Sequence, residues 1–243
     1  MRDIGTEMLK GLYKIEFETA QGSGRGIAVA RDGQISGGNS AFAFSGRYRE
    51  TGDEIVAELS VLRHNDDATF MRLFGADEFT LPLQGKRQGE HFVLDADAAR
   101  ATGIAFKAVL TAISEEAAPP TGVNGADSIR NGLYSLNIRM LDGIDSGNTG
   151  LMVLHDGTIR GGDAHFDYVG AYSSANGRWK GELINRTHTP TMGQRPLFGD
   201  REVGIGFSGT YDEQGAEGEA TALAGKRSIR FKAVLRKLID AEF

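Results

Sequence analysis

The stretch from Gly26 to His64 returns, recognisably, at Gly150 to His188. A segment of that length repeated once points to two copies of a single fold, each with its own core, and excludes one continuous domain. Superposing the copies brings Asp32-Gly33 onto Asp156-Gly157, Gly37-Gly38 onto Gly161-Gly162, Tyr48 onto Tyr172 and Glu58-Leu59 onto Glu182-Leu183. The pairing extends outward, with Gly11-Leu12-Tyr13 on Gly132-Leu133-Tyr134 and Phe106 to Leu110 on Phe231 to Leu235. The 243 residues therefore divide into an N-terminal extension over 1–10, a first copy over 11–113, a linker over 114–131 and a second copy over 132–243. Glu115-Glu116, Pro119-Pro120 and the stretch Gly122 to Gly125 mark the linker by interrupting the hydrophobic pattern.

Within each copy the hydrophobic period is two, the signature of half-buried antiparallel strands. Tyr13, Ile15 and Phe17 alternate with Lys14, Glu16 and Glu18, and Tyr134, Leu136, Ile138 and Met140 with Ser135, Asn137 and Arg139. Asp32-Gly33 and Asp156-Gly157 sit between short apolar runs, which predicts two-residue type I′ hairpins with positive φ at both positions. In the first copy such breaks separate strands near 11–18, 25–31, 34–38, 41–49, 54–63, 77–85, 90–96 and 103–112, with a single helical turn within 66–75. Successive hairpins of this number leave exposed edges unless the sheet closes, so the predicted fold is all-β, two tandem eight-stranded antiparallel up-and-down barrels. Inward aromatics such as Tyr13, Phe42, Phe44 and Tyr48 leave open whether each barrel is filled or keeps a cavity.

Charge and composition remove several function classes. The net charge is −6, with 13 basic and 16 acidic residues in 1–113 and 13 and 14 in 132–243, so neither copy carries a basic nucleic-acid footprint. The chain has no cysteine, which excludes disulfides, thiol nucleophiles and thiolate metal sites. The first ten residues carry charges where a secretory signal needs an apolar core, and no run reaches the length of a membrane span, so a soluble cytoplasmic protein is expected.

No set of chemical residues converges in the sequence. His64 and His188 are equivalent, but only His64 is followed by carboxylates, Asp66 and Asp67, so both are expected to be polar strand-end residues and no metal site is predicted. Glu58 and Glu182, kept by both copies, are expected to point outward toward a neighbouring Lys or Arg. Gly204-Ile205-Gly206-Phe207-Ser208-Gly209 has the letters of a dinucleotide fingerprint without a following helix. Gly22 to Gly26, with Ser23 between glycines, lacks a nucleophile elbow and is expected to be a hairpin loop. Asp142, Asp145 and Asn148 approach calcium-loop spacing without a bidentate Glu, and Asn185-Arg186-Thr187 is a formal glycosylation acceptor. Leu73-Phe74-Gly75 and Leu197-Phe198-Gly199 end the two long connections, where Phe74 and Phe198 either plug a barrel end or form an apolar patch. Catalytic residues, cofactor and metal are thus not expected.

The order Gly-x-Tyr, then Gly26-Ile27-Ala28-Val29 before Asp32-Gly33-x-Ile35-x-Gly37-Gly38-Asn39, then a Tyr-bearing strand leading into acidic residues and Ile55-Val56, resembles the GrlR-type negative regulators of bacterial type III secretion genes. The second copy repeats the frame, with Gly161-Gly162-Asp163 in the equivalent turn. The resemblance implies lipocalin-like (calycin-like) barrels that self-associate and sequester a transcriptional activator by protein contact, without enzymatic activity and without DNA binding as their main act. It implies further that the tandem is an intramolecular pseudo-dimer. The family's acidic partner contact falls here on Glu50-Thr51-Gly52-Asp53-Glu54, making Glu50, Asp53 and Glu54 the candidate partner-binding residues, whereas Ser174 to Arg178 of the second copy has lost the acidity. The alternative from another class is a carrier for a small apolar ligand within a barrel.

Overall fold

A computed structural model describes residues 9–20, 22–67, 69–70, 72–96, 105–141, 145–191 and 196–240, with the side chains of 145–148 excepted. The chain divides into two compact units at the Ser114/Glu115 boundary. Each unit contains one closed eight-stranded antiparallel barrel in which consecutive strands are neighbours. The first is built from β1 (Gly11–Thr19), β2 (Gly22–Arg31), β3 (Gln34–Gly38), β4 (Phe42–Thr51), β5 (Glu54–Arg63), β6 (Glu78–Gln88), β7 (His91–Ala96) and β8 (Phe106–Ala112). The second comprises β9 (Gly132–Met140), β10 (Asp145–His155), β11 (Thr158–Gly162), β12 (Phe166–Ala175), β13 (Arg178–Thr187), β14 (Val203–Tyr211), β15 (Gly215–Ala224) and β16 (Arg227–Asp240). Closure comes from the first and last strands, with Ile15 opposite Leu110 in β1–β8 and Leu136 opposite Leu235 in β9–β16.

The expected turns are present. Asp32 and Gly33 have φ of 48° and 80°, and Asp156 and Gly157 have 42° and 82°, the type I′ geometry that matches the twist of the flanking strands. The double glycines mark a close approach of two strands: a Cβ on Gly37 would lie 2.1 Å from the Ile27 carbonyl oxygen, and one on Gly161 2.2 Å from that of Leu151. One expectation fails. Gly22 to Gly26 is the start of β2 and not a loop, because glycine there makes room for the Phe17 ring, whose Cζ would be 2.2 Å from a Cβ on Gly24.

The alternating apolar residues point inward and form one cluster per barrel. The first includes Tyr13, Ile15, Phe44, Tyr48, Leu59, Phe106 and Leu110, with Phe17, Phe42 and Phe74 packed against it. Tyr134, Leu136, Tyr172, Trp179, Phe231 and Leu235 belong to the second. Phe74 and Phe198 plug their barrels: Phe74 meets Phe79 and Phe106 edge-on at 5.1 and 6.2 Å, and Phe198 meets Phe231 at 5.8 Å. The expected helical turn is a 3₁₀ turn at Leu73–Gly75, with Phe74 in the left-handed region at φ 55°.

Candidate functional site

Two ends of each barrel carry polar groups that the strands do not use up. At the end that holds the type I′ hairpins, a short segment before the first strand seals the barrel. In the first barrel this is Leu9, fully buried, whose N–H donates to Glu50 Oε1 (2.5 Å) and whose carbonyl accepts from the Tyr48 hydroxyl. In the second barrel it is Ile129, 2% exposed, whose N–H donates to Ser174 Oγ (3.2 Å). Glu50 and Ser174 occupy the same place in the repeat. The Glu50 carboxylate is therefore a structural acceptor in the first barrel, where the second uses a hydroxyl.

Of the other two candidate partner contacts, Asp53 and Glu54 are exposed at the β4–β5 hairpin. Glu54 pairs with Lys86 at 3.3 Å, and the Asp53 carbonyl accepts from Arg87 N–H at 2.8 Å. The hairpin thus holds two of the three acidic groups outward and commits the third to closing the barrel.

The residues expected to be a linker have a similar sealing role. Residues 115–131 lie against the hairpin end of the second barrel: Gly122 N–H donates to Gly157 O, Val123 N–H to Ser173 Oγ, and Asn124 Oδ1 accepts from both N–H and Oγ–H of Ser174. Asp127 accepts from Asn176 N–H, the Tyr211 hydroxyl donates to the Asp127 carbonyl, and Glu115 pairs with Arg160. Ser174→Ala is expected to cost about 1–2 kcal/mol, because it orphans the buried Ile129 N–H and loosens Asn124. Urea denaturation measures this, and an unchanged midpoint would show that the segment contributes nothing.

At the opposite end both histidines lock a corner. The Asn39 side chain accepts from Ala41 N–H and Phe42 N–H, and the His64 Nε2–H donates to the Asn39 carbonyl at 2.9 Å. Asp163 Oδ1 likewise accepts from His165 N–H and Phe166 N–H, and His188 Nε2–H donates to the Asp163 carbonyl at 3.2 Å. Burial holds the His64 pKa below its ordinary value, so the ring is neutral and suited to this one donor role. Glu58 and Glu182 are exposed, with Arg47 directly across from Glu58. No group of three or more metal-ligating side chains is found among the described residues. Asp142 and the side chains of Asp145 and Asn148 lie outside the described residues. Gly204 to Gly209 is part of β14, with no helix N-terminus for a pyrophosphate. Asn185, the formal glycosylation acceptor, is 3% exposed inside the second barrel, where no glycan would fit.

The interiors are nearly full. Cavities of about 80 Å³ and 70 Å³ remain in the first and second barrels. Pockets for drug-sized ligands run to roughly 300–1,000 Å³, so an apolar carrier of the usual kind does not fit. The two cavities differ in chemistry, however. The first is lined at three key positions by Asn39, Phe44 and Val61, the second at the equivalent positions by Asp163, Tyr168 and Asn185. The Tyr168 hydroxyl donates to Asp163 Oδ2 at 3.3 Å, and Asn185 Nδ2 is buried with no partner among the described residues.

Asp163 lies at the barrel mouth and is half-buried as a residue, while its carboxyl is the inward part. Burial pushes that carboxyl above the ordinary carboxylate range, against the pull of the His165 and Phe166 N–H groups and the Tyr168 hydroxyl. A carboxyl whose folded pKa is raised binds its proton more readily in the folded state, so its contribution to stability falls as pH rises from the ordinary carboxylate value through the folded one. Asp163→Asn is therefore expected to raise the melting temperature at pH 7 and to leave it unchanged near pH 3. A melting temperature at pH 7 that drops in the variant would contradict this.

No family model matches the chain, and no curated protein matches it. Among solved structures, a Bacteroides fragilis chain provisionally described as an outer membrane protein shares 10% identity over 94% of this chain and 97% of its own, with a TM-score of 0.30. Immune modulator A of Aeromonas veronii shares 10% over 93% and 94%, at 0.24. Transferrin binding protein B of Neisseria meningitidis shares 9% over 92% of this chain and 61% of its own, at 0.28. Scores and identities this low carry no argument about what the chain binds.

Positions that both copies keep point to the fold and not to the cavity shared by Asp163, Tyr168 and Asn185, which matter because the copies differ there. A signal for them existed: each is a polar replacement at an inward position whose counterpart is less polar or apolar.

Proposed function

We propose that this chain is a non-catalytic binding protein of the cytoplasm that sequesters a protein partner, in the manner of the GrlR-type regulators it resembles, with a transcriptional activator as the partner class. The observation that carries the reading is the filling of both barrels. With about 80 Å³ and 70 Å³ left inside, recognition of anything large belongs to the outer surface. On the first barrel, Asp53 and Glu54 stand exposed at the hairpin tip, and Val56, 54% exposed, follows on the same strand. An acidic tip beside an exposed apolar side chain suits a partner with a basic and apolar contact patch. The duplication supports reading the tandem as a covalent version of a dimer made by single-barrel relatives.

The test is quantitative binding by proteins of the source cell to the immobilised chain and to two variants. Asp53→Lys with Glu54→Lys reverses the exposed charge and is expected to abolish capture of the specific partner. Glu50→Gln keeps the acceptor for Leu9 and is expected to retain it. Absence of any partner at low micromolar concentration, or capture indifferent to the charge reversal, would overturn the proposal. Separately expressed halves that show no association by light scattering would remove the pseudo-dimer from it.

A further inference from the structure

The second barrel differs from the first in one respect that folding does not require. Where the first places Asn39, Phe44 and Val61, it places Asp163, Tyr168 and Asn185, and all three line the same small cavity. Tyr168 and Asn185 face one another across the β12–β13 ladder, and Tyr168 hydrogen-bonds to Asp163. Each of these groups costs free energy to bury. An amide N–H left unpaired in an apolar interior is unfavourable, because the hydrogen bond it made to water is not replaced. The Asp163 carboxyl accepts from His165 N–H, Phe166 N–H and the Tyr168 hydroxyl, but among the described residues no lysine or arginine forms an ion pair with it, in contrast to Asp167, which Arg186 holds at 2.5 Å. Polar groups kept at such cost, with one unmet donor and one buried acid that has no cationic partner among the described residues, on a shared cavity, mark a site whose complement is missing.

The shape of the cavity says what the complement is. Phe166 and Phe198 line it together with Asp163 and Asn185, while Trp179 and Phe207, tilted at 47° with ring centroids 4.5 Å apart, line its far part, six residues along β13 from Asn185. Aromatic faces together with a carboxylate favour an organic ammonium ion. Asn185 Nδ2 asks in addition for an acceptor oxygen close to the charge. A volume of about 70 Å³ accommodates some five water-sized groups at roughly 10–15 Å³ each, the scale of a two-carbon amino alcohol. We propose that the second barrel binds a small organic ammonium of the amino-alcohol class at its mouth, with the nitrogen on Asp163, the oxygen on Asn185 and the carbons against the aromatic lining. The first barrel, with an amide, a phenyl ring and a valine in these places, does not. This site is independent of the protein partner proposed above.

Isothermal titration calorimetry on the full chain measures binding directly, which the single tryptophan, Trp179, six residues along β13 from Asn185, would not. Titration with ethanolammonium chloride is expected to give a saturable binding heat. Asp163→Asn and Asn185→Val substitute the residues that the first barrel uses, and the asparagine keeps an acceptor for His165 and Phe166 N–H, so both variants are expected to fold. Loss of a charge-assisted hydrogen bond to a buried group weakens binding by about tenfold or more for Asp163→Asn, and loss of the amide contact by several-fold for Asn185→Val. Ethylene glycol, which has the size without the charge, is expected to give no binding heat. A flat titration into the tens of millimolar, equal binding of glycol, or undiminished binding by Asp163→Asn would each overturn the proposal. Co-sedimentation with phosphatidylethanolamine vesicles that Asp163→Asn abolishes would assign the source as a lipid headgroup, and saturable binding of the free amine without co-sedimentation would assign it as a soluble amine.

Discussion

Replacing Arg186 with leucine is expected to lower the unfolding free energy by about 3–5 kcal/mol, and adding Asp167→Ala to the same chain to restore most of that loss. Asp167 is 2% exposed, and Arg186 reaches its Oδ2 through Nε at 2.9 Å and Nη2 at 2.5 Å. The Asp167 carboxyl nonetheless stays above the ordinary carboxylate range, because burial outweighs the attraction of Arg186. Without the guanidinium the acid is a buried charge with its best partner gone. The first barrel shows what the fold accepts instead: Ala43 opposite Leu62 in the same register that pairs Asp167 with Arg186. Because the folded pKa is raised, the penalty of Arg186→Leu is largest at neutral pH and shrinks as pH falls through the folded value and the carboxyl takes up a proton. Denaturant titration of both single variants and the double variant measures the coupling. Losses that simply add would show that the pair is no unit.

The repeat made the architecture legible because period-two patterning, Asp-Gly turns and double glycines are local signals that two copies confirm for each other. Strand limits read from the pattern, such as 34–38 and 54–63, coincide with β3 and β5. Positions whose meaning depends on a distant partner were not legible. Glu50 looked like part of an acidic recognition run, since nothing in its neighbourhood announces that Leu9, 41 residues earlier, needs an acceptor. Residues 115–131 looked like a spacer, since polar, proline-rich composition does not distinguish a free tether from a strap pinned by side-chain hydrogen bonds. Tyr168 and Asn185 were legible only as polar residues at inward positions: alternation shows that a residue points inward, but not that its polar atom meets a cavity.

Leu110→Ala is expected to destabilise the first barrel by about 3–5 kcal/mol, the upper part of the range for a buried leucine. The size follows from the closed wall. Leu110 is 2% exposed and sits on β8 between Ile15 of β1 and Phe92 of β7, so the strand that carries it is hydrogen-bonded on both sides and cannot move in to fill the space. It also lines the cavity that already exists there, so truncation enlarges an empty volume of about 80 Å³ instead of opening a separate one. Leu235→Ala, on β16 between Leu136 and Ala216, is expected to behave alike in the second barrel. An enlarged dry cavity lined by leucine, isoleucine and phenylalanine accepts small apolar molecules, and a ligand that binds only the folded state raises stability by mass action. Benzene is therefore expected to raise the melting temperature of Leu110→Ala while leaving the unaltered chain unmoved. Calorimetry with and without benzene checks both halves of this expectation. A loss below about 1 kcal/mol would mean that the wall relaxes, whereas a benzene response in the unaltered chain would mean that the native interior is roomier than 80 Å³. The filled interior on which the surface-binding reading rests is thus open to direct measurement.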